Sequence, residues 1–213
     1  MDRRTLIGTA ATAALLAAGP AAAAAPEVAV FGDEHSEDSG VAFPNWVTLL
    51  QQAGHVGTVH NFAESGATAA ELGIVHFARQ LRLWREAGRP VGRKVIVFLG
   101  ANDILNTDTF DASFAGYDKG IAELRAAGAD LLLVEPFDLG ETPGFAGGPD
   151  SAAVTGKTLA WAKFVRGRGL PVVRLFDVFA PRLPDGRLFQ DDLRLNRAGN
   201  AIIADAVRTM LFP

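Results

Sequence analysis

Lys94-Val95-Ile96-Val97-Phe98-Leu99 is an unbroken apolar run behind a single lysine. A strand with one face in water alternates apolar and polar residues, whereas a run apolar at every position is buried on both faces. Gly100-Ala101-Asn102-Asp103 follows and reads as the loop that ends the strand. Comparable runs are EVAVF at 27–31, DLLLVE at 130–135 and PVVRLF at 171–176, and residues 55–60 supply one more. Helical stretches separate them. Residues 45–53 stop at Gly54. Residues 69–87 carry Leu72, His76, Leu81 and Trp84 near helical spacing and stop at Gly88. Residues 113–127 close at Gly128, and 151–165 precede the last strand. The final helix, 196–211, places Ile203, Ala206, Val207, Met210 and Leu211 on one face, with Asn196 as its N-cap. Doubly buried strands alternating with helices predict one three-layer α/β/α domain, 26–213, around a mostly parallel five-stranded sheet of flavodoxin-like architecture. Ligands of such sheets bind at the carboxyl ends of the strands. The loops after Phe31, Asn61, Leu99, Glu135 and Phe176 are therefore the ones to read.

Composition narrows the function. The chain has 213 residues, nearly half apolar, and a net charge of −4 with no block of basic residues, so nucleic acid finds no electrostatic footprint. No cysteine is present, which removes disulfides, thiolate metal sites and Cys nucleophiles. The four histidines, His35, His55, His60 and His76, all lie in the first third of the chain and form no metal-binding spacing. No metal or other cofactor is expected. No phosphate-cradling glycine pattern occurs either, which counts against a nucleotide-binding module.

Residues 1–25 read MDRRTLIGTAATAALLAAGPAAAAA. Arg3-Arg4, an Ala-rich apolar middle and a small-residue end before Pro26 make this an export signal, and the paired arginines suggest the twin-arginine route. A plain Sec signal is the alternative. A retained anchor fits less well, because the apolar stretch is short and contains Gly8, Gly19 and Pro20. No membrane-spanning segment is expected in the mature chain, and its expected location is the periplasm or the exterior.

The strand-end loops carry a resemblance. Phe31-Gly32-Asp33-Glu34-His35-Ser36-Glu37-Asp38-Ser39-Gly40 resembles the opening block of the SGNH or GDSL-type esterases. Asn61-Phe62-Ala63-Glu64-Ser65-Gly66-Ala67-Thr68 is similar to the second block, and Gly100-Ala101-Asn102-Asp103 to the third. Pro136 to Pro143 (PFDLGETP) is similar to a loop of one branch. Asp191-Asp192-Leu193-Arg194-Leu195-Asn196-Arg197-Ala198-Gly199 is similar to the closing block. Each is weak alone; five in order across the chain are strong.

The resemblance implies an acyl-ester hydrolase fold, with a serine nucleophile, a histidine base, an orienting aspartate and donors for the oxyanion. Carried over, Gly66 and Asn102 are the oxyanion donors and Asp191 the orienting acid. Glu34 stands at the nucleophile position and Arg194 at the histidine position, with Leu195 in place of the usual proline. Arginine stays protonated and cannot act as a general base. No histidine follows His76 to replace it. A paired substitution suggests a salt bridge, with Arg194 lying between Glu34 and Asp191 and serving both.

A nucleophile migrated to Ser36, with His35 as base, asks two adjacent turn residues to converge on one target. Asp33 and Asp103 fit structural roles, accepting backbone N–H groups. Glycoside hydrolysis by Glu34 with Asp191 or Asp192 lacks aromatic stacking partners, because Trp46, Trp84 and Trp161 lie in helical stretches and are expected in the core. His55, His60 and His76 are expected to pack or face solvent. The glycine-rich stretch 144–150 is expected to be mobile and to border the pocket. Two functions remain: a degenerate pseudo-esterase that binds a small acylated ligand or a protein or has only structural value, and an active ester hydrolase with non-standard residues.

Overall fold

In a computed structural model, the structure describes residues 26–37, 43–89, 94–181 and 187–212. The segment read as an export signal lies outside the described residues, as do Asp38, Ser39 and Gly40. The apolar runs form strands β1 (Val28–Gly32), β2 (Val59–Asn61), β3 (Lys94–Phe98), β4 (Leu131–Glu135) and β5 (Val172–Arg174). All pair in parallel, in the order β2-β1-β3-β4-β5. Ile96 and Val97 at the sheet centre are fully buried, as a run without alternation requires.

The helices are α1 (Trp46–Gln52), α2 (Phe77–Glu86), α3 (Ala101–Asn106), α4 (Asp111–Ala126), α5 (Ser151–Arg166), α6 (Leu175–Phe179) and α7 (Arg197–Leu211). Right-handed crossovers from this strand order put α1 on one face and α2, α4 and α5 on the other. The packing agrees: α1 lies against α7, α2 against α4, and α5 against β4 and β5. Trp46, Trp84 and Trp161 are all fully buried, as expected of core residues. No helix among the described residues is long and apolar enough to cross a membrane.

Four boundaries depart from the sequence reading. The helix expected at 69–87 begins only at Phe77. Ala69 N–H is drawn to Asp103 Oδ2, and Thr68 pairs with His76 as an isolated parallel bridge. Leu72 and Ile74 are left exposed, and His76 becomes the N-cap, accepting from Arg79 N–H. The strand expected at 55–60 is Val59–Asn61, because Gly57 donates backward to the Pro26 carbonyl instead. The strand expected at 171–176 stops at Arg174, and Leu175–Phe179 winds into a helical turn that buries Leu175 and Phe179. The loop expected after Leu99 is helical from Ala101.

Candidate active site

The strand order reverses at β1, so the carboxyl ends of β1 and β3 open a crevice between connections that leave in opposite directions. Residues of four of the five blocks line it: Glu34, then Ser65 and Gly66, then Asn102, and Asp191 to Arg194. Glycine brings the two strand ends close: a Cβ on Gly32 would stand 2.9 Å from the Phe98 carbonyl oxygen. Gln80 of α2 reaches over and bonds both backbone groups of Gly32, at 3.2 and 2.6 Å. The turn that follows is pinned from three sides. Asn45 and Asn61 both donate to the Ser36 carbonyl, at 2.7 and 2.8 Å, and Trp46 Nε1 donates to the Ser36 hydroxyl.

Glu34 is the residue this turn presents. Its Oε2 accepts from Gly66 N–H at 3.0 Å and from Asn102 Nδ2 at 2.8 Å. Gly66 adopts φ +77°, a left-handed conformation that favours glycine and aims its N–H into the crevice. Burial pushes the Glu34 carboxyl up, but the His35 ring and the bonds from Asn102 and Gly66 outweigh it and hold the pKa below the usual value. An ionised carboxylate oxygen therefore lies on two convergent donors. Such donors can hold any oxyanion, including that of an acyl-transfer transition state.

Asp191 and Arg194 line the same cavity of about 500 Å³, with Glu34, Ser65, Gly66, Asn102 and Asp192. The salt bridge expected between Arg194 and Glu34 does not form. Asp191 Oδ1 instead accepts from Leu193 N–H and Arg194 N–H, closing a tight turn. That turn brings the Arg194 Nε onto Asp191 Oδ2 at 2.8 Å. Burial of Asp191 is outweighed by these N–H bonds and the guanidinium, so its pKa falls below the usual value. Arg194 thus serves Asp191 alone, and Glu34 takes its partners from Gly66 and Asn102.

Ser36 is fully buried with its hydroxyl on Trp46, so it holds the turn rather than facing the cavity. Asp33 accepts from His35 N–H and is fully buried. Its pKa stands well above the usual value, from burial first and then from the Glu34 charge. Asp103 accepts from Ala69 N–H, and burial raises its pKa as well. The stretch 144–150 does approach the site, where Gly144 N–H donates to the Asp192 carbonyl.

Sequence reading missed Gln80 and Asn200. Asn200 accepts from Trp46 N–H and donates to the Leu195 carbonyl, tying α1 to the closing block. Either could have been suspected as an amide on an otherwise apolar helix face. A larger, mostly apolar groove of about 880 Å³ runs beside β5 and α7, and none of the five carried-over site residues lines it.

A parallel sheet in this order, with its site on the β1, β2 and β3 ends and the closing loop before α7, defines the SGNH-hydrolase fold. The chain belongs to the GDSL-like lipase/acylhydrolase family, whose model matches residues 28–202. Solved structures similar to it include an acetyl xylan esterase, AlAXEase, at 18% identity and a TM-score of 0.64, covering 87% of this chain and all of that one. A catalytic mutant of an acetylxylan esterase from Geobacillus stearothermophilus has 16% identity and a TM-score of 0.66, with coverages of 88% and 94%. A G-D-S-L family lipolytic protein from Veillonella parvula has 14% identity and a TM-score of 0.62, with coverages of 85% and 95%. No curated protein matches in sequence.

Proposed function

We propose that this chain is an exported, degenerate member of its family: a pseudo-esterase that keeps the oxyanion donors and has lost the chemistry. The observation that carries this reading is the Glu34 carboxylate on Gly66 N–H and Asn102 Nδ2. An ester carbonyl would need those donors as charge develops on its oxygen. Here they already hold an anion that repels a second one. A base is also missing, because Arg194 stays protonated and is bonded to Asp191. The ligand class that suits such a site is a small neutral acylated molecule, held beside the filled donors without turnover. The paired arginines and Ala-rich segment at 1–25 support the twin-arginine export route and a periplasmic or extracellular location.

The test is hydrolysis of a short-chain nitrophenyl ester by the full chain beside its Glu34→Ser/Arg194→His double variant. The natural protein is expected to match buffer. The double variant places a hydroxyl below the donors and an imidazole on Asp191, and should gain at least ~100-fold, the usual worth of a positioned base. Clear turnover by the natural protein would overturn the reading and favour active hydrolysis with non-standard residues.

A further inference from the structure

We propose that Asp33, Glu34 and His35 form a binding site for a first-row divalent cation, Zn²⁺ foremost. The three residues are consecutive in the turn after β1, yet their side chains converge. One carboxylate oxygen from each acid and one ring nitrogen of His35 lie within 4.8 Å of one another. Consecutive side chains usually diverge, and here the pinned turn forces them together.

The cluster also holds two polar atoms that want a partner. Asp33 Oδ2 and His35 Nε2 are both buried without a well-formed hydrogen bond, although Ala101 N–H also acts on the Asp33 carboxyl. Asp33 is wholly inaccessible and His35 is 5% exposed. A buried polar atom left without a partner costs ~1–3 kcal/mol, so two in one turn mark the place of a further species. Asp33 Oδ1 is already committed to His35 N–H, and Glu34 Oε2 to Gly66 and Asn102. One oxygen of each acid therefore remains for a ligand. The His35 ring is fixed for the purpose, stacked on Phe98 at 5.9 Å and set edge-on to Phe137 at 5.2 Å.

A water could bridge the same atoms, but it brings no positive charge to the ionised Glu34. Glu34 has no arginine or lysine paired to it among the described residues, and Arg194, which lines the same cavity, pairs with Asp191 instead. A cation neutralises that charge and a water does not. The donor set selects the cation. Two carboxylates and an imidazole suit zinc and its first-row neighbours, whereas Mg²⁺ and Ca²⁺ favour oxygen alone. Glu34 lines the open cavity and gives the ion a way in.

The test is titration of the chelator-treated full chain with Zn²⁺ by calorimetry, with thermal melting alongside. We expect one Zn²⁺ per chain and a melting temperature that rises with Zn²⁺, since a ligand of the native state alone stabilises it. Glu34→Gln should weaken binding at least ~10-fold, because losing a ligand costs no less than losing its supporting partner. His35→Phe keeps a ring against Phe98 and Phe137 and should abolish binding. If that variant does not fold, Glu34→Gln decides, because its side chain is isosteric. Absence of heat and of a melting shift in the natural protein overturns the proposal. So does one-equivalent binding unchanged by the substitutions, which puts the ion elsewhere, and so does an equal response to Mg²⁺. These readouts are separate from ester hydrolysis, so this proposal and the pseudo-esterase reading can fail independently.

Discussion

One residue, Asp103, shows how the site loop buries a carboxyl that resists ionisation. It closes the third block, is fully buried, and holds Ala69 N–H through Oδ2. Burial raises its pKa above the ordinary carboxylate value. The unfolded chain therefore loses this proton first as pH rises, and the native state binds more protons across the interval between the two pKa values. Stability contributed by the neutral carboxyl is present in acid and is lost as pH climbs through the native pKa. Asp103→Asn keeps an acceptor for Ala69 and removes the titration. Its melting temperature should fall less than the natural protein's from mildly acid to neutral pH, and two parallel curves would reject the argument. At this scale, residue identity was largely legible. Gly66, Asn102 and Asp191 were placed together by their blocks alone. The partner of Arg194 was not legible, because a local turn competed with a long-range ion pair. Asp191 accepts two N–H groups two and three residues on, and the guanidinium is then delivered to its own turn.

Among the elements, α7 and α2 make opposite cases. The start of α7 was readable, because Asn196 caps it in the expected way, accepting from Ala198 and Gly199 N–H. Asn196 also donates to the Arg187 and Phe189 carbonyls, so the cap fixes the closing loop as well as the helix. Asn196→Ala should cost ~1–2 kcal/mol through the cap, with a further ~1 kcal/mol through the loop bonds. Chemical denaturation checks this. A loss below the cap contribution alone would mean that the closing loop is held by other contacts. The start of α2 was not readable. Residues 69–76 have helical spacing, but Ala69 is claimed by Asp103 and Thr68 by the bridge to His76. Sequence periodicity reports what a segment could bury alone, and these residues answer to a carboxylate 34 positions away.

For the whole molecule, the ion-pair cluster of Glu135, Arg166 and Asp177 joins three elements on the far side of the sheet from β2. Glu135 ends β4 and is fully buried, Arg166 ends α5, and Asp177 lies in α6. Arg166 grips Glu135 with two bonds of 2.6 Å each and reaches Asp177 at 3.0 Å. The strand runs and helix stops predicted the elements but not this junction, which exists only after β4, α5 and α6 have met. Removing one partner strands a carboxylate in the core. Arg166→Met should therefore destabilise by ~3–5 kcal/mol, whereas Glu135→Leu/Arg166→Met, which removes the buried carboxylate together with its half-buried partner, should return to within ~1–2 kcal/mol of the natural protein. Denaturant midpoints of the two variants give the comparison. If the double variant is as unstable as Arg166→Met, the junction contributes through its particular geometry and not merely by neutralising Glu135. The edge strand β5, which among the described residues pairs only with β4 and is followed directly by α6, would then depend on that ion pair for its position.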